Sequence, residues 1–196
     1  MKVQFHTLDV FTTERFGGNP LAVVLDASGI SSARMQQIAR EFNLSETVFV
    51  LPAEHAAHSA KVRIFTPTRE LPFAGHPTVG TAILLAEVQG KLRPGFDDAI
   101  VVLEEGVGAV RAAVKRKAGT PDHAEFDAPK LPEPLNAPPS NERLAVALGL
   151  APSEIGFENH RPTRYSAGIP FTFVPVRGLD AIGRAGLMAS YWPDAF

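Results

Sequence analysis

The chain has 196 residues, 45% of them hydrophobic and 20% charged, enough for one large domain or two small ones around a proper core. A net charge of -2 gives no footing for nucleic acid or a membrane surface as partner. The absence of Cys excludes disulfides, thiolate metal sites and cysteine catalysis together.

The opening Met-Lys-Val-Gln-Phe-His lacks the apolar core of a signal peptide, and no apolar run reaches membrane-spanning length. A cytoplasmic enzyme or binding protein is the resulting expectation. Residues 2–11 alternate as a strand with Val3, Phe5, Leu8 and Val10 apolar. Phe16-Gly-Gly-Asn-Pro20 breaks it with turn chemistry, and Leu21 to Leu25 resumes as a second strand. Ser31 or Ser32 can cap a helix through Phe42, where Met35, Ile38, Ala39 and Phe42 keep helical spacing. Asn43 to Leu51 turns into a strand, and Ala60 to Phe65 forms another.

The chain is organised around Thr66 to Gly90, a loop that tightens into a turn and launches a helix over 76–89. Pro77 suits the first turn and Gly90 is placed to stop it. Val79, Ala82, Ile83, Leu84, Leu85, Ala86 and Val88 leave almost no polar face, so this helix should run through the middle of a domain. Gly75 and Gly80 let other groups approach its backbone, and its free first-turn amides offer an anion site. Residues 99–103 and 107–114 read as a hairpin around Glu105-Gly106, which suggests a sheet curled about the helix. A composition shift at Ala118–Pro121 places a domain boundary near 118, giving domains 1–118 and 119–196. Beyond it come a strand (123–127), a helix from Ser140 to Leu148, and strands at 154–158, 162–166 and 171–176, as in a duplicated, incomplete half.

Glu46 is the most informative residue. On a strand, Glu46, Val48 and Val50 share one face and Thr47, Phe49 and Leu51 the other, so the carboxylate has apolar neighbours either way. Burial would raise its pKa toward a general acid or base; the commoner arrangement is a strand-end Glu turned to water or capping a turn. His76 at the helix mouth can donate to a substrate oxygen or pass a proton, or simply close the turn. Gly75 can offer its N–H to a carboxylate, or hold a backbone shape that needs positive φ. Asn19 can reach a ligand, or only fix its turn. Arg111, Lys115, Arg116 and Lys117 read as a solvated strand end, and His55, His58, His123 and His160 show no metal-ligand spacing.

Three stretches, Phe16-Gly-Gly-Asn-Pro-Leu-Ala-Val-Val, Asn43-Leu-Ser-Glu-Thr-Val-Phe-Val and Phe65 to Ala82, closely resemble the PhzF-like phenazine-biosynthesis family in order and spacing. Ser166 to Val176 resembles the family's second half. The resemblance implies a diaminopimelate-epimerase-like α+β fold, in which two domains each wrap a sheet around a central helix and share a cleft. It also implies a homodimer, no metal or organic cofactor, and isomerisation of a small carboxylate such as trans-2,3-dihydro-3-hydroxyanthranilate. Carried across, Glu46 is the acid/base, and Gly75 and His76 belong to the polar set that holds the substrate. The family's Gly-Ile/Glu-Asp-Pro-x-Thr-Gly-Ser-Ala segment does not occur before Phe196, so the expectation is a C-terminally shortened member lacking part of the cleft. The alternative is a non-catalytic binding or oligomerising module.

Overall fold

A computed structural model of the protein describes residues 2–91, 97–116 and 119–195. Lys117, the boundary position 118 and Phe196 lie outside the described residues. The chain separates into two compact units, Met1–Pro129 and Lys130–Phe196.

In the first unit, β1 (Phe5–Val10) and β2 (Asn19–Val24) pair antiparallel. Helix α1 (Ser32–Phe42) then carries the chain to β3 (Glu46–Leu51), which pairs parallel to β2. Strand β4 (Ala60–Phe65) and the short β5 (Glu70–Leu71) follow, ahead of α2 (Gly75–Val88). The hairpin of β6 (Asp98–Glu105) and β7 (Gly108–Lys115) and the strand β8 (His123–Phe126) complete a sheet ordered β1-β2-β3-β4-β6-β7-β8, with β5 on β4.

This sheet curls around α2, which contacts β1, β2, β3, β6, β7 and β8. A helix covered from so many sides can tolerate apolar residues all round, and ten of its fourteen residues are buried. Gly80 is required by this packing: a Cβ there would stand 2.8 Å from Leu21 Cδ2 and 2.9 Å from Val10 Cγ2. The helix ends in a Schellman arrangement, with Gly90 at φ 63 and the Lys91 N–H donating to the Ala86 carbonyl at 2.9 Å. Helix α1 covers the other face of the sheet. The pleat divides the two sides, since Val48 and Val50 join the α2 core while Phe49 joins Met35 and Ala39 of α1. Phe49 and Phe65 meet edge to face there at 5.4 Å.

The strand at 123–127, assigned from sequence to a second domain, belongs to the first unit because β8 pairs along β7 from Ala112↔Phe126 to Lys115↔His123. The basic cluster is tied to this same edge: Lys115 pairs with Glu125 at 3.2 Å and Arg116 with Asp122 at 2.7 Å. That is the arrangement of a solvated strand end.

In the second unit, β9 (Glu133–Pro134), β10 (Thr163–Ser166) and β11 (Pro170–Phe173) form a sheet ordered β11-β10-β9. Helix α3 (Asn141–Leu148) starts on the Ser140 side chain and ends at Gly149 with φ 68. Its Leu144 and Ala145 pack on Leu150 and Ile155. Two short helices, α4 (Gly178–Arg184) and α5 (Trp192–Ala195), follow. Residues 154–158 are not the expected strand: a 3-10 turn spans Pro152–Glu154, and only isolated bridges Ile155↔Val176 and Phe157↔His160 follow. The Glu154 carboxylate accepts from the Ala151 N–H at 2.9 Å, and this local bond competes with extension into a ladder.

Candidate active site

The parallel pairing of β2 and β3 sets Leu21 opposite Glu46, so Asn19 and Glu46 lie at one end of the sheet. The turn before β2 is possible because Gly18 takes φ 69, where a Cβ would stand 2.3 Å from the Val10 carbonyl oxygen. The turn before β3 uses Asn43 in the left-handed region, φ 53, with its N–H donating to the Ala39 carbonyl at 3.1 Å. Helix α2 begins at this same end with Ala74 as N-cap and no side-chain cap, and Pro77 has no N–H to give. The amides of Gly75 and His76 are therefore the polar groups of an uncapped helix start.

Three of the four residues singled out from sequence converge. His76 Nδ1 lies 3.2 Å from Glu46 Oε2 and 3.3 Å from Asn19 Nδ2. The Asn19 amide and the His76 ring are thus within hydrogen-bond distance, while His76 Nε2 is buried without a partner. Glu46 Oε2 is close to Nδ1 but buried without an aligned hydrogen bond, so the contact is one of proximity.

Burial raises the Glu46 pKa above 4.5. It lowers that of His76 below 6.5, with the Pro20 carbonyl beside the ring acting the other way. Both groups are thus biased to the neutral state. The Glu46 side chain is 17% exposed, so a small molecule can reach it.

Gly75 is the fourth residue, and neither its backbone nor its packing requires glycine. It is absent from the positive-φ glycines, and a Cβ there would meet only Phe126, at an ordinary 3.6 Å. The conformational reading of Gly75 therefore fails, and close approach of another group to its amide remains.

Two features escaped the sequence reading. Glu105 is buried at the end of β6, its Oε1 accepting from Thr78 Oγ1 at 2.7 Å. Its Oε2 has no partner, and burial pushes its pKa up to about 7. The signal was the period of two: Ala99, Val101, Leu103 and Glu105 share one buried face of β6. The second is Phe11, whose ring centre lies 6.5 Å from that of His76. Phe11 lines a cavity of about 840 Å³ together with the rest of residues 8–14, Val79, Gly80 and Ile83 of α2, and residues 120–124. This cavity does not include Glu46 or His76 in its lining. Among the described residues no group of His, Asp and Glu is arranged to hold a metal ion, and no helix is long and apolar enough to cross a membrane.

Residues 8–186 match the family model of the phenazine biosynthesis-like proteins, PhzC-PhzF. An uncharacterized isomerase of Mesorhizobium japonicum is 56% identical over 186 residues, which is 95% of this chain and 60% of that protein. The trans-2,3-dihydro-3-hydroxyanthranilate isomerase of Pseudomonas aeruginosa is 39% identical over 160 residues, 81% of this chain and 53% of that protein. Among solved structures, a predicted epimerase of Pseudomonas aeruginosa superposes with a TM-score of 0.84 at 32% identity, covering 98% of this chain and 66% of that one. A hydroxyproline epimerase of Agrobacterium vitis, at 16% identity and a TM-score of 0.54 over 85% of this chain and 50% of that one, shares the fold alone. The chain spans 60% and 53% of the lengths of the two curated relatives. From the curled sheet around α2, the carboxyl group at its mouth and these matches, the chain belongs to the phenazine biosynthesis-like PhzC-PhzF family.

Proposed function

We propose that the chain carries the proton-transfer half-site of an isomerase acting on a small carboxylate, with Glu46 as the group that moves the proton. The observation that carries this reading is the meeting of Glu46, His76 and Asn19 at the uncapped start of α2. A raised pKa makes the Glu46 carboxylate a stronger base and its acid form available nearer neutrality. Glu46 takes a proton from one carbon of the substrate, the electron pair shifts through the adjoining unsaturation, and the same carboxyl returns the proton to another carbon. Atoms and charge balance within the substrate.

The anionic character that develops meanwhile lies against the Gly75 amide and the positive end of the α2 dipole. His76, biased to the neutral state by burial, and the Asn19 amide beside it form the polar wall of the same mouth. The P. aeruginosa relative's name supports a ring acid of the dihydro-hydroxyanthranilate type as the substrate class. We further propose a homodimer, as the family resemblance implies, and a cytoplasmic location, as expected from the sequence. The boundary near 118 remains a proposal for where the ancestral halves join.

The test is turnover in D2O with mass analysis of recovered substrate and product. Deuterium incorporation is expected in the wild-type chain, with a loss of at least about a hundredfold in Glu46→Gln. Full exchange in Glu46→Gln would remove Glu46 from the role. A second reading, a non-catalytic binding or oligomerising module, is favoured by the exposed Tyr165, Phe171 and Phe173 of the second unit. It predicts no exchange in any carboxylate and a concentration-dependent mass in solution.

A further inference from the structure

We propose that Glu105 is a positioning residue for the anion site at the start of α2, acting through Thr78 and Ala74 on the Gly75 amide. This rests on the reading above, in which that amide faces the substrate's negative charge. The contacts run in one line: Thr78 Oγ1 lies 2.7 Å from Glu105 Oε1 and 2.8 Å from the Ala74 carbonyl oxygen. That carbonyl and the Gly75 N–H belong to one planar peptide group, so a bond that holds the oxygen also sets the direction of the N–H. The same bond polarises the group and makes its N–H a stronger donor.

A hydroxyl has a single hydrogen, and Thr78 faces two oxygens. With Glu105 ionised, Oε1 takes that hydrogen and the Ala74 oxygen keeps only the Thr78 N–H, at 3.2 Å. With Glu105 protonated, its own O–H donates to Thr78 Oγ1 and the Thr78 hydrogen turns to Ala74. Only the protonated form completes both short bonds. Burial favours that form and moves the titration to about 7, so the change between the two patterns falls near neutrality. The ionised form also sets a negative charge one hydroxyl away from that peptide group, opposing an incoming anion.

The tip of β6 is clamped where this requires. Gly106 packs against the segment leading into α2 so tightly that a Cβ would stand 2.8 Å from Pro72 Cα. The charged groups around Glu105 have other partners. Lys61 and Arg63 of β4 and Glu70 of β5 line a cavity of about 600 Å³ with it, and Arg63 pairs with Glu70 at 2.6 Å and Lys61 with Glu54. On β6, Glu104 turns the other way, to His58 and the amides of Glu54 and His55. On β7 the register partner is Gly108, and on α2 His76 faces Glu46 and Asn19. Packing alone does not ask for an acid here, since a glutamine fills the same space and keeps a hydrogen for Thr78.

The experiment follows the Gly75 amide by proton–nitrogen NMR of the glycine-labelled full chain between about pH 6 and pH 8.5. Titration calorimetry with anthranilate, as a small-carboxylate probe, covers the same range. The Gly75 resonance, identified by its loss in Gly75→Ala, is expected to show a step near pH 7 in the wild type. Glu105→Gln, whose side-chain N–H donates to Thr78 at every pH, is expected to lose that step. The wild-type affinity for anthranilate, relative to that of Glu105→Gln, is expected to fall about three- to tenfold across the range, the worth of one hydrogen bond. Thr78→Val is expected to abolish the step and Thr78→Ser to restore it. A merely structural Glu105 would change Tm and move neither readout. Absence of the step in the wild type, or its persistence in Glu105→Gln, overturns the proposal at Glu105. The step without the affinity difference, or no binding by the wild type, overturns it at the Gly75 amide. Both effects together with full exchange in Glu46→Gln uphold Glu105 and reject the proton-transfer role of Glu46; neither effect with exchange abolished in Glu46→Gln rejects Glu105 alone.

Discussion

Replacing Glu105 by Gln tests the electrostatics of the core directly. The wild-type carboxyl is buried, holds one hydrogen bond from Thr78, and leaves Oε2 without a partner. Its pKa rises from 4.5 to about 7, first because burial penalises the charge, with the Thr78 bond opposing. The folded chain therefore binds this proton more tightly than the unfolded chain does. The group's contribution to stability is fully present below pH 4.5 and is lost as pH rises through about 7. At about 1.36 kcal/mol per pH unit, the shift corresponds to roughly 3 kcal/mol. Glu105→Gln is neutral at every pH and nearly the same shape. Urea unfolding from pH 4.5 to pH 8 should therefore show the variant gaining on the wild type by about 3 kcal/mol across the range. The difference between the two proteins isolates this group, since every other titration is common to both. A difference independent of pH would refute the reasoning, because Glu105 would then titrate as an ordinary solvated carboxylate.

The glycines of α2 should respond in opposite ways to alanine. Gly80→Ala drives a methyl against Leu21 and Val10 and should cost about 1–3 kcal/mol by urea unfolding. Gly75→Ala meets only Phe126 at contact distance and should fold with no loss of stability, yet weaken anthranilate in calorimetry by crowding the amide. In the pH dependence of exchange, the limb assigned to Glu46 should lie above the usual carboxylate range, because burial raises its pKa; a limb near 4.5 would mean a wet carboxylate. Glu104 is the counter-case, held down to about 2 by the amides of Glu54 and His55 and then by His58. Its stabilisation is present above pH 4.5 and lost as pH falls toward 2, so Glu104→Gln should flatten the acid limb of the unfolding profile.

The centre of the fold could be read from the chain because α2 is apolar around its whole circumference, a pattern that only enclosure satisfies. Glu46 was legible for a related reason: both faces of β3 are buried, so its carboxyl had dry neighbours in either register. Glu105 was hidden at a hairpin tip, where an acidic residue ordinarily faces water, although its parity with Leu103 pointed inward. Phe11 was beyond reach, since nothing in local composition announces a phenylalanine at positive φ. Residues 154–158 misled because Ile155 and Phe157 alternate like a strand, while Pro152 and the Glu154 side chain bend the backbone first. Composition says nothing of where β8 belongs, because pairing along β7, a long-range property, decides it.

Strands that precede α2 and strands that follow it both cover that helix. A nascent chain released only as far as Val88 would hold its greasiest segment with half its shelter still unmade. Nucleation can begin on the β1–β4 side, but closure must wait for β6, β7 and β8 to be synthesised and to find distant partners. The interval between those two events is when the apolar surface of α2 is least sheltered.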